Sequence, residues 1–251
     1  MNLISKLKKI HIRLQKRYTE FSTNYPGFLC TVADKSSFLY MYEEIMENEI
    51  YRFPCTKEKP FILDCGSNIG LSVIYFKKLF PQAEIIAFEP DPNIYQILRR
   101  NLVSAKVTED VTAIQACLGD SEDDITFYSD GADGGSVTTS EVPTKTITVQ
   151  QKRLGIYINK TVDFLKMDIE GSEYIVLTSI VSKLHFVDRL FIEYHSFTNQ
   201  EQNLDEILSI LKKAGFRYYI EHVGIRSSHV YEKRESYHGM DLQINIYGYR
   251  V

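Results

Sequence analysis

Several carboxylates and one histidine occur where short apolar segments of the chain end, and together such groups could bind a cation and accept a proton. The residues are Asp64, Glu89, Asp168, Glu170, Glu193 and His195. Carboxylates attract positively charged ligands and repel phosphates. A histidine beside a carboxylate is a candidate general base, because its ordinary pKa lies near neutrality. The sequence therefore favours a cationic ligand and acid–base chemistry.

A glycine turn follows the first of these carboxylates, with the spacing Asp64-x-Gly66-x-x-x-Gly70. The apolar residues 61–63 before it predict a buried strand, and the pattern of residues 71–80 after it predicts a helix. A helix N-terminus beside a glycine turn is a binding site for polar ligands. The turn is therefore predicted to bind a cofactor, with Ser67 and Asn68 at its tip.

Glu89 ends the next apolar segment, residues 85–88, and Pro90 follows it. An acidic residue about 20 positions beyond such a turn is placed to accept hydrogen bonds from ribose hydroxyls. We therefore assign Glu89 and Pro90 to the predicted cofactor site.

The turn differs from the two common phosphate-binding motifs. Asn68 stands where a dinucleotide-binding G-x-G-x-x-G motif needs its middle glycine, and no Lys-Ser or Lys-Thr pair follows as in a P-loop. Asp64, at the tip of the first strand, would repel a pyrophosphate. S-adenosylmethionine (SAM) has a ribose, no phosphate, and two positive groups, an ammonium and a sulfonium, so these residues favour SAM.

Predicted strands alternate with predicted helices of about ten residues, which indicates an α/β fold with a doubly wound, Rossmann-like, mostly parallel sheet. The later predicted strands are residues 111–118, 125–128, 145–149 (a short edge strand), 162–167, 189–194, 216–221 and 242–249. No helix separates the last two, which are therefore predicted to be antiparallel. The ligand of such a sheet binds at the carboxyl ends of its strands. Leu118 and Gly119 are then either an adenine contact or a simple turn.

Residues 1–59 are predicted to form a helical leader, and residues 60–251 a single domain. The first 18 residues read as a basic amphipathic helix with Leu3, Ile4, Leu7, Ile10 and Leu14 near one face. Such a helix packs on its own domain, on a second subunit, or on a membrane surface. Residues 222–240 form a polar insertion that either contacts an anionic acceptor or is a solvated loop; its basic and aromatic residues are His222, Arg226, His229, Tyr231, Lys233, Arg234, Tyr237 and His238.

Composition narrows the class of protein. The 251 residues are 44% hydrophobic, which suffices for one α/β domain, and the net charge of −4 argues against nucleic acid as a partner. No apolar run is long enough for a membrane span. The four cysteines contain no C-x-x-C pair, and Cys65 and Cys117 lie in apolar contexts that predict reduced core thiols. A cytoplasmic location is expected.

The chain resembles the FkbM family of class I SAM-dependent methyltransferases from about Tyr51 to Arg250. The resemblance rests on FILDCGSNIG, AFEPDP and DFLKMDIEGSE. It implies a seven-stranded sheet with an antiparallel C-terminal strand, and O-methylation of sugars, polyketides or related small metabolites. By position, Asp64, Gly66, Asn68 and Gly70 match the cofactor turn, Glu89 the ribose-binding acid, Asp168 and Glu170 the signature acids, and Glu193 and His195 the acid and histidine after the fifth strand. Residues 147–150 lack the Leu-Asp pair that the family commonly has before the signature strand, so no role is transferred there.

The predicted chemistry is methyl transfer to an alcohol oxygen, with His195 as general base and Glu193 or Glu170 orienting it or holding the hydroxyl. Asp168 is assigned to the cofactor site. A divalent ion on Asp168, Glu170 and Glu193 is an alternative that the spacing does not demand. Glu173 is interpreted as a helix-start carboxylate. The alternatives in function are an amine- or phosphoramidate-directed methyltransferase, a nucleotide-dependent oxidoreductase, and a non-catalytic SAM-binding protein.

Overall fold

The computed structural model describes residues 3–129, 131, 135, 145–224, 226–233, 235–236 and 239–250, apart from the side chains of residues 3–5. The helices are α1 (Leu3–Arg13), α2 (Lys35–Tyr42), α3 (Leu71–Leu79), α4 (Pro92–Ser104), α5 (Glu173–Ser179) and α6 (Leu204–Lys213). The strands are β1 (Phe21–Thr23), β2 (Cys30–Val32), β3 (Phe61–Cys65), β4 (Glu84–Phe88), β5 (Val111–Ile114), β6 (Cys117–Gly119), β7 (Asp124–Ser129), β8 (Lys145–Arg153), β9 (Phe164–Met167), β10 (Arg189–Phe197), β11 (Arg217–Val223) and β12 (Met240–Tyr249).

A seven-stranded sheet with the order β11-β12-β10-β9-β3-β4-β5 forms the centre of the protein. The neighbours from β10 to β5 are parallel, whereas β12 is antiparallel to both β10 and β11. The predicted doubly wound α/β sheet with an antiparallel C-terminal strand is thus confirmed. Strands β4 and β5 lie on one side of β3, and the later strands β9 and β10 lie on its other side. The switch in strand order is therefore between β3 and β9, and sheets of this kind bind ligands at the carboxyl ends of the strands at that point.

Both faces of the sheet are covered by apolar layers, because successive side chains of each strand point to opposite faces. Ile62 and Phe191 belong to one buried cluster, with α3, α4 and parts of the leader. Leu63 and Ile192 belong to the other, with α5 and α6. Alternation along buried strands therefore supplies both cores and fixes the register of the sheet.

Three details of the strand prediction were wrong. The segment 111–118 is not one strand: β5 ends at Ile114, and β6 belongs to a separate three-stranded sheet with the order β6-β8-β7. In that sheet β8 is the middle strand, because β6 and β7 both pair with it. The prediction of an edge strand was therefore wrong. His195 was predicted to follow its strand but lies within β10, opposite Gln243.

The leader contains a two-stranded antiparallel pair, β1 with β2, in addition to its helices. The buried side chain of Asn101 in α4 fixes this pair to the domain. It accepts from the Thr31 amide (2.7 Å) and donates to the carbonyls of Thr31 (2.9 Å) and Ile69 (2.9 Å). One side chain thus connects the leader to the glycine turn.

Helix α1 packs on α2, another helix of the leader, and its Ile12 is fully buried in the core. Leu7, Ile10 and Leu14 are instead more than half exposed, so this described part of the predicted apolar stripe is not a buried face. The membrane-surface and second-subunit interpretations of this stripe stay predictions. Among the helices within the described residues, none combines the length and apolar character needed to cross a bilayer.

Candidate active site

The carboxyl ends of β3, β4, β9 and β10 open onto a cleft with about 1240 Å³ of space not filled by protein atoms, part of it open to solvent. The leader forms one of its walls through Tyr40, Glu44 and Tyr51. The position of the cleft at the carboxyl ends of parallel strands is where folds of this kind bind their ligands.

The glycine turn forms part of the cleft and is held against β4. The amides of Gly66 and Ser67 donate to the Phe88 carbonyl at 3.1 and 2.8 Å. Gly66 has φ +86°, and a Cβ at this position would lie 1.8 Å from the carbonyl oxygen of Asp168. Only glycine allows β3 and the β9–α5 turn to approach so closely, and this contact sets the shape of the turn.

Glu89 lies beside the glycine turn, directly after β4. Its Oε2 accepts from the Asn68 amide at 3.0 Å, and its Oε1 accepts from the Asp91 amide at 2.9 Å. Burial raises the pKa of this carboxyl to about 8, although both hydrogen bonds and the Lys166 charge oppose the shift. Each oxygen accepts one of these hydrogen bonds and keeps further acceptor capacity on the side of the cleft.

The raised pKa of Glu89 predicts a pH-dependent stability. The folded protein retains this proton where the unfolded chain has released it, so the stabilisation is complete below the ordinary carboxyl pKa and is lost as the pH rises through about 8. We expect Glu89→Gln to show a smaller loss in the free energy of unfolding between about pH 5 and pH 9 than the wild type. Urea unfolding at several pH values measures this difference.

The informative quantity is the slope with pH, because a glutamine amide must also face one of the two backbone N–H groups at this position. Glu109→Gln, an exposed acid before β5, is the matched control and should follow the wild-type curve. Parallel curves for Glu89→Gln and wild type over the whole range would contradict the raised pKa.

Asp64 lies beneath the glycine turn, fully buried. Its Oδ2 accepts from the Ser72 hydroxyl at 2.5 Å, and its Oδ1 is 3.5 Å from the Lys166 ammonium. Lys166 donates to the Gly66 carbonyl at 2.7 Å and lies 3.3 Å from Asp168. Burial lowers the pKa of Lys166, but the charges of Asp168, Asp64 and Glu193 outweigh this and leave it raised. The ammonium therefore stays charged and stabilises the glycine turn through its hydrogen bond to the Gly66 carbonyl.

Four side chains meet beside the cleft, where β10 lies next to the β9–α5 turn. His195 Nδ1 is 3.0 Å from Glu173 Oε1, and its Nε2 is 3.7 Å from Glu170 and 3.8 Å from Glu193. The Glu173 carboxylate also accepts backbone amides of its own turn, including that of Gly171 at 3.0 Å. Glu173 is thus more than a helix-start carboxylate, because it fixes the orientation of the imidazole.

Burial and mutual charge shift the titration of this group. Burial, then the Asp168 charge, raises the pKa of Glu193 to about 7. Burial lowers the pKa of His195, but the carboxylates of Glu170, Glu173 and Glu193 outweigh it and raise that pKa well above its ordinary value. This part of the cleft therefore concentrates negative charge around one imidazole.

Comparison with known proteins identifies the family. Residues 64–218 match the methyltransferase FkbM domain, which is more than half of the chain. The chain belongs to the FkbM methyltransferase family. It is therefore an enzyme of the SAM-type methyltransferase class, and the oxidoreductase alternative is wrong.

Curated relatives of this FkbM methyltransferase carry the same class of name. Methyltransferase sdnD of Sordaria araneosa is 30% identical over 176 residues, covering 56% of this chain and 68% of the relative. The 2-O-methyltransferase NoeI of Sinorhizobium fredii is 24% identical over 204 residues, covering 73% and 77%. The crystal structure of methyltransferase FkbM from Methylobacillus flagellatus KT matches 80% of this chain and 46% of its own chain, with 18% identity and a TM-score of 0.50. That likeness shows the fold.

The FkbM cleft brings together most of the residues assigned to it from the sequence. Those that line it are Gly66, Ser67, Asn68, Glu89, Pro90, Leu118, Asp168, Glu170 and Glu193. The remaining four, which are not among the described lining residues, are Asp64, Gly70, Gly119 and His195. Asp64 lies below the turn, Gly119 packs against Gln151, and His195 lies behind Glu170 and Glu193. The roles of all these residues stay predictions.

The structure adds lining residues that the sequence analysis missed. Lys166 was detectable, because it is the one charge within the strand Phe164–Met167. Gln243 and Asn245 alternate along β12 and share a face, which their spacing of two indicates. Tyr51 of the leader had no such signal, because its place in the cleft wall depends on how the leader folds back.

The insertion 222–240 lies between the last two strands, and His222 and Met240 belong to those strands themselves. Among its described residues none lines the cleft. Arg234, Tyr237 and His238 lie outside the described residues. Its predicted contact with the acceptor stays a prediction.

Proposed function

We propose that this enzyme uses SAM to methylate a hydroxyl of a sugar, glycan or other small metabolite. The observation that carries the proposal is the arrangement of the cleft lining along neighbouring strands. The glycine turn and Glu89 directly follow β3 and β4, and Asp168, Glu170 and Glu193 lie beside them on β10 and in the turn after β9. A relative that covers most of the chain is named as a 2-O-methyltransferase, which supports the choice of oxygen.

The part of the cleft formed by the glycine turn and Glu89 fits the cofactor. Glu89 would accept hydrogen bonds from ribose hydroxyls, Leu118 would contact the adenine, and the surplus of carboxylates would attract the cationic groups. The close approach at Gly66 gives the turn a surface without a side chain at its narrowest point. When bound, SAM supplies an electrophilic methyl group.

The part of the cleft formed by Asp168, Glu170 and Glu193 provides a proton acceptor. Of the three residues predicted to be catalytic, Glu170 has the most exposed side chain at 18%, against 12% for Glu193 and 1% for His195. Glu170 also has φ +51°, a left-handed conformation that is uncommon for a residue with a side chain and frequent at functional sites. Glu170 accepts the hydroxyl proton as the oxygen gains the methyl group, and His195 and Glu173 position it from behind.

Label transfer tests the proposal. The purified protein is incubated with methyl-labelled SAM and sugars, nucleotide-linked sugars, glycan extracts and small polyols, with amine and phosphoramidate compounds as a second arm. We expect label on oxygen in the first arm, read by mass spectrometry. Label found only on nitrogen would show that the acceptor is an amine or a phosphoramidate and not an alcohol. Absence of any heat on calorimetric titration with S-adenosylhomocysteine (SAH) would overturn the use of this cofactor.

A cytoplasmic location accompanies the proposal. All four cysteines are free thiols, and Cys65 and Cys117 are buried, as predicted. Free thiols are typical of proteins in a reducing compartment, where SAM and small-metabolite acceptors would be encountered.

A further inference from the structure

Three potential metal ligands from neighbouring strand ends converge beside the cleft. One ligand atom each from Asp168, Glu193 and His195 lies within 4.8 Å of the other two. Asp168 directly follows β9, while Glu193 and His195 are two residues apart on one face of β10. The parallel pairing of β9 with β10 thus places a nitrogen and two carboxylates around one point.

The imidazole is oriented as in a metal-binding histidine. An ionised carboxylate can only accept, so Glu173 at 3.0 Å fixes a proton on Nδ1. Nε2 then faces the other carboxylates, and its separations of 3.7 Å from Glu170 and 3.8 Å from Glu193 are too long for hydrogen bonds. The Gln243 amide Nε2 is 3.4 Å from this nitrogen and donates to Glu193 at 2.5 Å, so an ion would take the place of that amide. A carboxylate that holds the other ring nitrogen of the histidine is the usual support of a metal ligand.

A buried oxygen without a partner lies beside this group. Asn245 stands opposite Glu193 in the β10–β12 ladder, and residues so paired share a face and lie close together. Its side chain is buried and it lines the cleft. Its Oδ1 has no hydrogen-bond partner among the described residues. A buried polar atom normally has a partner, and an amide carbonyl is a good ligand for hard cations.

The carboxylates around these ligands carry more negative charge than Lys166 neutralises. Lys166 is 3.3 Å from Asp168 and 3.5 Å from Asp64. Its single positive charge faces these two carboxylates and that of Glu193, and two of its protons are directed to backbone carbonyls of Cys65 and Gly66. Negative charge is therefore in excess.

We propose that Asp168, Glu193 and His195, together with Asn245 Oδ1, form a binding site for a divalent cation of the magnesium or manganese class. Oxygen and imidazole ligands without thiolates suit these ions, and four protein ligands leave two positions of an octahedron open. The ligand set differs from the sequence-based alternative, since His195 takes the place of Glu170. In the proposed reaction Glu170 would accept a proton from an oxygen held by the ion; this role rests on the proposed function, whereas the binding of the ion does not.

Manganese binding to the chelator-treated protein tests the site. Titration with Mn²⁺ is followed by the loss of the free-ion signal in electron paramagnetic resonance and by calorimetry. We expect one saturable site in the wild type, at least about tenfold weaker binding in Glu193→Gln and His195→Ala, and unchanged binding in the control Glu109→Gln. Asn245→Asp is expected to bind Mn²⁺ more tightly, by about tenfold, because it adds a charged ligand.

The gain in Asn245→Asp separates the proposal from misfolding, which can only weaken binding. SAH is titrated into the same metal-free samples. A wild-type protein that binds SAH but shows no saturable Mn²⁺ site would overturn the metal site and leave the proposed function standing. Equal Mn²⁺ affinity in the wild type, Glu193→Gln and Asn245→Asp would also overturn it. Saturable Mn²⁺ binding without any SAH binding would support the site and remove the proposed function.

Discussion

Replacing Gly66 by alanine is expected to weaken SAH binding by about 100-fold or more, which corresponds to about 2.7 kcal/mol. The new Cβ would lie 1.8 Å from the Asp168 carbonyl oxygen, a backbone atom that no rotamer change can move. Either the glycine turn or the β9–α5 turn must shift, and both line the cleft. The positive φ adds about 1–2 kcal/mol of strain and the overpacking about 1–3 kcal/mol, so the thermal midpoint should also fall. Calorimetry with SAH and thermal unfolding measure the two effects.

Gly27→Ala is the matched control for this prediction. Gly27 also has a positive φ of +94°, but no described atom lies within 4 Å of the position of its Cβ. The variant therefore carries the backbone strain without the collision, and should keep wild-type SAH affinity while losing about 1–2 kcal/mol of stability. If Gly66→Ala binds SAH within about threefold of wild type, the contact with Asp168 does not shape the cofactor site.

Glu170→Gln is expected to lower kcat by about 100-fold or more while leaving SAH affinity nearly unchanged. Glutamine has the same shape and tolerates the same backbone conformation, but it cannot accept the proton that an alcohol releases. The measurement uses the acceptor identified by label transfer and compares kcat with the SAH dissociation constant. The wild-type rate should rise with pH as the acceptor of the proton ionises, and the residual rate of the variant should lose that dependence.

Two variants make the test of Glu170 specific. Glu109→Gln removes an exposed carboxylate before β5 and should keep wild-type kcat. His195→Gln removes the positioning imidazole, so its rate should fall while the pH dependence of the remaining activity persists. A Glu170→Gln enzyme with wild-type kcat would remove Glu170 as proton acceptor, and the role would then pass to Glu193 or to His195, the base favoured by the sequence.

The acidic part of the cleft shows where prediction from the sequence was sufficient and where it was not. Asp168, Glu170 and Glu193 were assigned to one rim because parallel strands bring their carboxyl ends together, and all three line the cleft. His195 was assigned to the same rim, yet its side chain is almost fully buried. Periodicity gives the face of a strand on which a residue lies, but not which side chains stand in front of it.

The sequence by itself determined that the sheet is mostly parallel and where the glycine turn lies, because these follow from local alternation, from helix-length spacing and from residues that suit only one backbone conformation. The order of the strands, and the separate sheet of β6, β8 and β7, came only from the structure. Only the tertiary structure decided that Asp64 supports the turn from below, that Glu173 orients His195, and that Asn245 lies opposite Glu193. These relations join residues that are distant along the chain or on different strands. Their distances depend on how the layers pack and on strand register, and no local pattern in the sequence encodes them.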